Sequence, residues 1–486
     1  MKRTSGSRII ALFSLLLAVT TAACSTPTGP APANGSRAFN TSPAHRDLQT
    51  SGDQSRPGWT EVEPAPHLGG PPTSFRHLAP VTGNKPWAVV LCKFPDKPDE
   101  PHSVQWYQDF VTHSAPKRDG LWDFWHDVSY GKMDLTGSLV FGWNTLPHNS
   151  TYSESRFALW SDCASTATNV NFGRFYGVLA ILNAKKDSGA IGPGPVSAIL
   201  NGNHGAWGVV VLDTGAQDVG WGAHEMGHAF GLNHNYDTGL SQCIVGAAPG
   251  EYCDQYDAMA YENGANTFQT SFGNSAPGLT APNLLKLGWV PNLTVVRPNA
   301  PQDVGLAPLE QAPSIVQVPI GDSPQHYYTI EYRNPNLAYA SGTTWGKLLP
   351  GPGVLIHEAR VNGLFYLVDT GGGPNFQLCQ SFVGINNIRI TVISMPSPWS
   401  ASKAVVRIGY VGDGIPDPAP CNTQPSAGRV AVRSIEPDRQ TLNLHWLLLT
   451  QASAEHRRSK TLKYPAPLEE AAIRAFWNNS HALDVY

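Results

Sequence analysis

The sequence predicts a mixed α/β domain built around one functional helix and followed by a β-rich C-terminal module, and three observations carry that expectation. Continuous apolar runs at "PWAVVLCKF" and "WGVVVLD", the latter Trp207 to Asp213, have the length and composition of buried strands. Between them, "GLWDFWHDVSYGKMDLTGSLVFGW" opens with aromatics at helical spacing and continues as strand-like segments. After Trp289 the pattern changes to short alternating segments divided by Gly and Pro: "SIVQVPI", "YYTIEYR", "GVLIHEA", "LFYLVD", "IRITVIS", "AVVRIGYV" and "LNLHWLLL". Such segments suit an all-β sandwich or barrel-like module. The aromatics of the helical stretch could be taken for a binding platform, but at that spacing core packing is the expected role.

Taken from the N-terminus, residues 1–24 have a basic start, an apolar stretch from Ile9 to Val19 and small residues after it. This is the pattern of a signal peptide, too short to span a bilayer. Cys24 directly follows "TTAA", which is similar to a bacterial lipoprotein cleavage site except that Thr21 stands where leucine is usual. Lipid attachment at Cys24 and simple cleavage near Ala23 both stay open. Either way the chain is expected outside the cytoplasm, secreted or held at the cell surface, and no other run is long and apolar enough for a transmembrane span. Residues 25–82, rich in Pro, Gly, Ser and Thr, read as a tether or short pro-segment. The α/β domain is placed at 83–295 and the β-rich module at 296–450. A polar tail follows at 451–486, in which "LEEAAIRAFW" has the pattern of a short helix.

The 486 residues are enough for two or three domains. Lys plus Arg total 33 against 37 Asp plus Glu, a formal net charge of −4. That balance lacks the basic excess of a nucleic-acid binder. Leaving Cys24 aside, Cys92, Cys163, Cys243, Cys253, Cys379 and Cys421 are an even set in an exported chain, which favours up to three disulfides. Cysteine ligation of a metal is the weaker reading, since no C-x-x-C pair is present. The pair favoured is Cys243 with Cys253, which would brace the loop after His234.

The chemistry concentrates in "HEMGHAFGLNH", His224 to His234. An α-helix advances 3.6 residues per turn, so His224 and His228 project from one face and can grip one ion. Glu225 sits about 100° around the helix, near enough to act as a general base without being a ligand. Gly231 tolerates left-handed backbone angles, so it can end the helix and return the chain with His234 as third ligand. Three neutral imidazoles leave the fourth tetrahedral position of Zn²⁺ to water, whose pKa the ion lowers to near neutrality. The competing reading is a helix with ordinary surface or capping histidines; most of the other histidines of the chain are read that way, His357 in "LIHEAR" included.

Downstream lies "YDAMAY", with Met259 between Asp257 and Tyr261. With the extended histidine motif, this segment resembles the metzincin clan of zinc endopeptidases, in which a tight turn carries a methionine beneath the metal. A finer resemblance is to the secreted bacterial immune inhibitor A type, with the gametolysin family as a close relative. It rests on "AVVLCKFPDKP", "DFWHDVSYGKMDLTGSLVFGWNTLP", "HEMGHAFGLNH", "NLLKLGWV", "YYTIEYR" and "LPGPGVLIHEAR", roughly Pro86 to Arg360. The resemblance implies a metzincin-like catalytic domain of mixed sheet plus active-site helix, with Met259 as an apolar floor and not a ligand. It also implies a phenol from Tyr261 at the metal or the tetrahedral intermediate, although a tyrosine there can equally be a packing residue. Calcium often stabilises enzymes of this type, but no D-x-[DN]-x-[DN]-G loop occurs.

The expected function is an exported zinc endopeptidase acting on protein or peptide substrates, with Glu225 as base. Two other readings compete: a surface adhesion or carbohydrate-binding protein working through the β-rich module, and a zinc amidase acting on a non-protein amide.

Overall fold

Trp87–Lys93 (β1) is apolar at all but its last position because both of its faces are covered. Trp87, Val89 and Leu91 point into one core, and Ala88, Val90 and Cys92 into another on the opposite side. The computed structural model of the protein describes residues 80–412, apart from 115–118, 241, 262–266, 298, 313, 340–341 and 344. The signal peptide, Cys24, nearly all of the tether, Cys421, "LNLHWLLL" and the polar tail lie outside the described residues.

After β1 come helices α1 (Val104–Val111) and α2 (Leu121–Val128), strand β2 (Leu139–Thr145) and helix α3 (Arg156–Thr166). Strands β3 (Gly177–Leu182), β4 (Gly189–Ala190), β5 (Val196–Leu200) and β6 (Asn203–Leu212) complete a sheet of order β2-β1-β3-β6-β4, with β5 also paired to β6. The first four strands of that order are parallel, whereas β4 and β5 run antiparallel to β6. The aromatic helix α2 uses its rings for the core: Leu121, Phe124 and Trp125 are fully buried. On the other face of the sheet a disulfide from Cys92 to Cys163 ties β1 to α3.

Helix α4 (Val219–Ala229) follows β6 across a short turn in which Asp213 accepts the N–H of Gly215. Its core is shared with α2 and with Trp289 and Trp345, large rings from far along the chain. Next come β7 (Asn235–Asp237), α5 (Ala281–Lys286), β8 (Asn292–Val295), β9 (Gln302–Leu306), β10 (Ser314–Pro319) and β11 (Tyr327–Arg333). The last strands described are β12 (Gly353–Ala359), β13 (Phe365–Leu367), β14 (Ser381–Val383), β15 (Ile388–Ser394) and β16 (Ala404–Tyr410). They form two further sheets, ordered β8-β10-β11-β12-β13-β7 and β9-β16-β15-β14. Val316, Ile330 and Ile356 of the first share one apolar core with Ile390, Val406 and Ile408 of the second. This is sandwich packing.

The division at residue 295 expected from the sequence is crossed by structure on both sides. Strand β7, the three residues after His234, pairs in parallel with β13, so Asn235 lies opposite Phe365 and Asp237 opposite Leu367. Leu309, Ile315, Tyr339 and Trp345 belong to the same core as α4, and the indole of Trp345 donates to Asp127 at 2.9 Å. A three-residue strand is too short to display a period of two. Among the described residues no helix is long and apolar enough to cross a membrane.

Candidate metal centre

Helix α4 owes both of its ends to local chemistry. Asp218 is the N-cap, and its carboxylate accepts the N–H of Trp221 at 2.8 Å, satisfying one of the donors a helix start leaves open. At the other end Gly231 has φ +98°, the left-handed conformation expected from the sequence. The N–H of Gly231 donates to the carbonyl of His228 at 2.8 Å, and that of Leu232 to Gly227 at 2.9 Å, the paired bonds of a Schellman turn. This turn reverses the chain and brings His234 back beside the helix.

The three histidines converge. Nε2 of His228 lies 3.1 Å from Nε2 of His224 and 3.1 Å from Nε2 of His234. Every Nδ1 faces an acceptor: the carbonyl of Ala258 for His224 (3.0 Å), the carbonyl of Leu232 for His228 (2.9 Å) and Oε1 of Glu251 for His234 (2.7 Å). Each ring therefore carries its proton on Nδ1 and turns an Nε2 lone pair toward the other two. Burial, reinforced by His234 and His224, also holds the pKa of His228 well below its ordinary value. Three lone pairs at such separations repel unless a cation lies among them. A tetrahedral ion with bonds of about 2.0–2.1 Å spaces its ligands by roughly 3.3 Å, so the donor set fits Zn²⁺.

Glu225 follows His224 on α4, is only 4% exposed, and its charge favours the protonated form of His228, placing it beside the trio. Met259 is fully buried in the short 3-10 turn Ala258–Ala260, and its sulfur packs so closely on Gly227 that a Cβ there would collide with it. Gly227 thus lets the methionine seat beneath the helix between His224 and His228. Asp257 caps the turn by accepting the N–H of Met259 at 2.7 Å. Its second oxygen accepts the N–H and the hydroxyl of Thr280, both at 2.6 Å, and the amide of Asn283 at 3.0 Å. Because Ala258 in this turn receives Nδ1 of His224, the capped turn also orients the first histidine.

Of the two roles the sequence leaves open for Tyr261, catalytic phenol or packing residue, its contacts are those of packing. Tyr261 spends its hydroxyl on the N-cap Asp218, at 3.3 Å, and its ring packs on Gly220 and Trp221. Burial and the Asp218 charge hold its phenol well above the ordinary pKa, so it remains an O–H. The phenol at the histidine cluster is instead that of Tyr252, whose hydroxyl lies 2.9 Å from Nε2 of His234 and whose ring lies 4.1 Å from that imidazole. Tyr252 has φ +60°, a left-handed conformation that costs free energy for a bulky residue. A disulfide between Cys243 and Cys253 closes the loop that carries Glu251 and Tyr252. No spacing rule reaches residues 17 and 18 positions past His234, and the disulfide was the one sequence signal for that loop.

His357 is not a surface histidine. It is fully buried on β12, with Nε2 3.1 Å from Asp254, whose same oxygen accepts the amide of Asn235 at 2.9 Å. Burial alone would lower its pKa, but Asp254 overrides that and raises it. The amide of Asn283 reaches Asn235 at 3.0 Å as well as Asp257, so buried polar groups run from β12 to both the His234 strand and the methionine turn. The sequence misread His357 because its carboxylate partner lies 103 residues away.

Neither a protein-family model nor a curated protein matches this chain.

Proposed function

We propose that the protein is an exported zinc-dependent endopeptidase of metzincin type, similar to the immune inhibitor A enzymes. The observation that carries the reading is the convergence of three Nε2 lone pairs, each with its Nδ1 committed elsewhere, next to a buried glutamate on the same helix. His224, His228 and His234 would hold Zn²⁺, and when bound the ion would polarise a peptide carbonyl and acidify water. Glu225 takes the proton of the attacking water and returns it to the leaving amine nitrogen. The hydroxyl of Tyr252 donates to the oxygen on which negative charge develops. Tyr261 is a structural residue that braces the start of α4. Glu251, the Ala258 carbonyl and the Leu232 carbonyl fix the tautomer and direction of the three rings. The disulfides Cys92–Cys163 and Cys243–Cys253 suit a chain that works outside the cytoplasm.

The test is digestion of casein or gelatin by the purified chain, with and without 1,10-phenanthroline. Proteolysis that the chelator abolishes and a serine-directed inhibitor leaves intact supports the reading. Absence of protein cleavage, with hydrolysis of a non-protein amide in its place, would replace it by the amidase reading.

A further inference from the structure

A second group of ligating side chains lies on the other side of the central sheet from α4, and the endopeptidase reading does not use it. Metal-ligand atoms of His148, Glu154 and Asp162 all lie within 4.8 Å of one another, with Nε2 of His148 3.4 Å from Oε1 of Glu154. His148 is in the loop after β2, Glu154 immediately precedes the N-cap Ser155 of α3, and Asp162 is within that helix. The two carboxylate side chains are almost wholly buried, whereas the imidazole is 37% exposed and closes the group on the solvent side. All three line one small pocket whose remaining wall includes Phe94, Leu146 and Leu159. Two carboxylates and an imidazole whose ligating atoms converge this closely are a donor set that a divalent cation can bridge, and the ion would offset the repulsion between the carboxylates.

The surroundings are rigid. The disulfide at Cys163 anchors the residue next to Asp162 to β1. Asp96 accepts the N–H and the hydroxyl of Ser150, both at 2.6 Å, and the ammonium of Lys186 holds the carbonyls of Ser150 and Tyr152 at 2.8 and 2.5 Å. His148 itself stacks on Tyr152, with ring centroids 4.3 Å apart. The loop bearing the imidazole is thus held by four hydrogen bonds, two to Asp96 and two to Lys186. We propose that His148, Glu154 and Asp162 form a second divalent-metal site, structural in role. One nitrogen with two carboxylate oxygens favours a transition-metal ion of the Zn²⁺ or Mn²⁺ kind over Ca²⁺ or Mg²⁺, which prefer all-oxygen shells.

Equilibrium dialysis of the full chain against ZnCl₂, followed by metal analysis, tests this independently of the endopeptidase reading. The double variant Glu154→Gln, Asp162→Asn should bind one zinc fewer than the parent. The double variant His224→Ala, His228→Ala should still bind zinc at the second site, so loss of the histidine-trio ion and loss of this one read out separately. His148→Ala, on a partly exposed loop, should leave circular dichroism that of the parent and weaken the second zinc by more than the roughly tenfold that loss of a group merely hydrogen-bonded to a ligand costs. A Glu154→Gln, Asp162→Asn chain that takes up as much zinc as the parent overturns the proposal. Displacement of the second zinc by equimolar Ca²⁺ overturns the assignment of ion class.

Discussion

Oε1 of Glu251 accepts from Nδ1 of His234 at 2.7 Å, so the third histidine of the trio is aimed by a carboxylate where the other two are aimed by backbone carbonyls. Burial alone would raise the pKa of Glu251, but the hydrogen bonds from His234 and from the N–H of Ala248 hold it below its ordinary value. The carboxylate therefore stays ionised and makes the facing Nε2 a stronger donor to a cation.

Glu251→Ala removes that acceptor without touching a ligand. Zinc affinity, measured by competition with a chromophoric chelator, should fall about 10- to 100-fold while circular dichroism stays that of the parent. Unchanged affinity contradicts the orienting role.

The two tyrosines should separate cleanly. Tyr252→Phe should keep zinc and lower kcat on the order of 10²-fold, the scale for loss of one oxyanion donor. Tyr261→Phe should leave kcat near the parent value and lower stability by about 1 kcal/mol, since its hydroxyl serves Asp218. Steady-state kinetics on both variants decides between them, and the reverse pattern restores Tyr261 as the catalytic phenol.

Non-reducing peptide mapping should find Cys243 joined to Cys253 and Cys92 joined to Cys163. The Cys243→Ser, Cys253→Ser chain should lose about 2 to 3 kcal/mol in denaturant unfolding, the chain-entropy scale for so short a loop. It should also bind zinc more weakly, because the loop carries Glu251. A free thiol at either position contradicts the pairing.

The helix that carries the site was legible because each of its features is local: two histidines one turn apart, a glutamate beside the first, and a glycine where the backbone must go left-handed. The strands of the sandwich were legible for the same reason, as "YYTIEYR" and "IRITVIS" became β11 and β15 with little change of boundary. The partners that aim the rings were not. Glu251 and Tyr252 arrive on an irregular loop with no period, and Asp254 meets His357 only because β7 joins the sheet of β12 and β13. The two roles open to Tyr261 were not separable in the sequence, which gives the distance from Met259 but not the direction of the side chain after the turn.

Asp218 gives a pH prediction. Burial pushes its pKa up to about 6 against the restraint of the Trp221 N–H and the Tyr261 hydroxyl. A carboxyl whose folded pKa is raised favours the folded state most when protonated, so its contribution is full below about pH 4 and is lost as pH rises through about 6. Asp218→Asn keeps a good N-cap and cannot ionise. Urea unfolding of both chains should therefore show the variant gaining on the parent between about pH 4 and 6, with a constant difference above. A difference that does not change with pH contradicts the shift.

The most direct measurement of the central claim is the activity and zinc content of Glu225→Gln, since that change keeps the side chain's size and all three histidines while removing the base. The endopeptidase account predicts parental zinc content and fold, with casein hydrolysis reduced on the order of 10²- to 10⁴-fold. Cleavage at the parental rate by a zinc-loaded Glu225→Gln chain would contradict it.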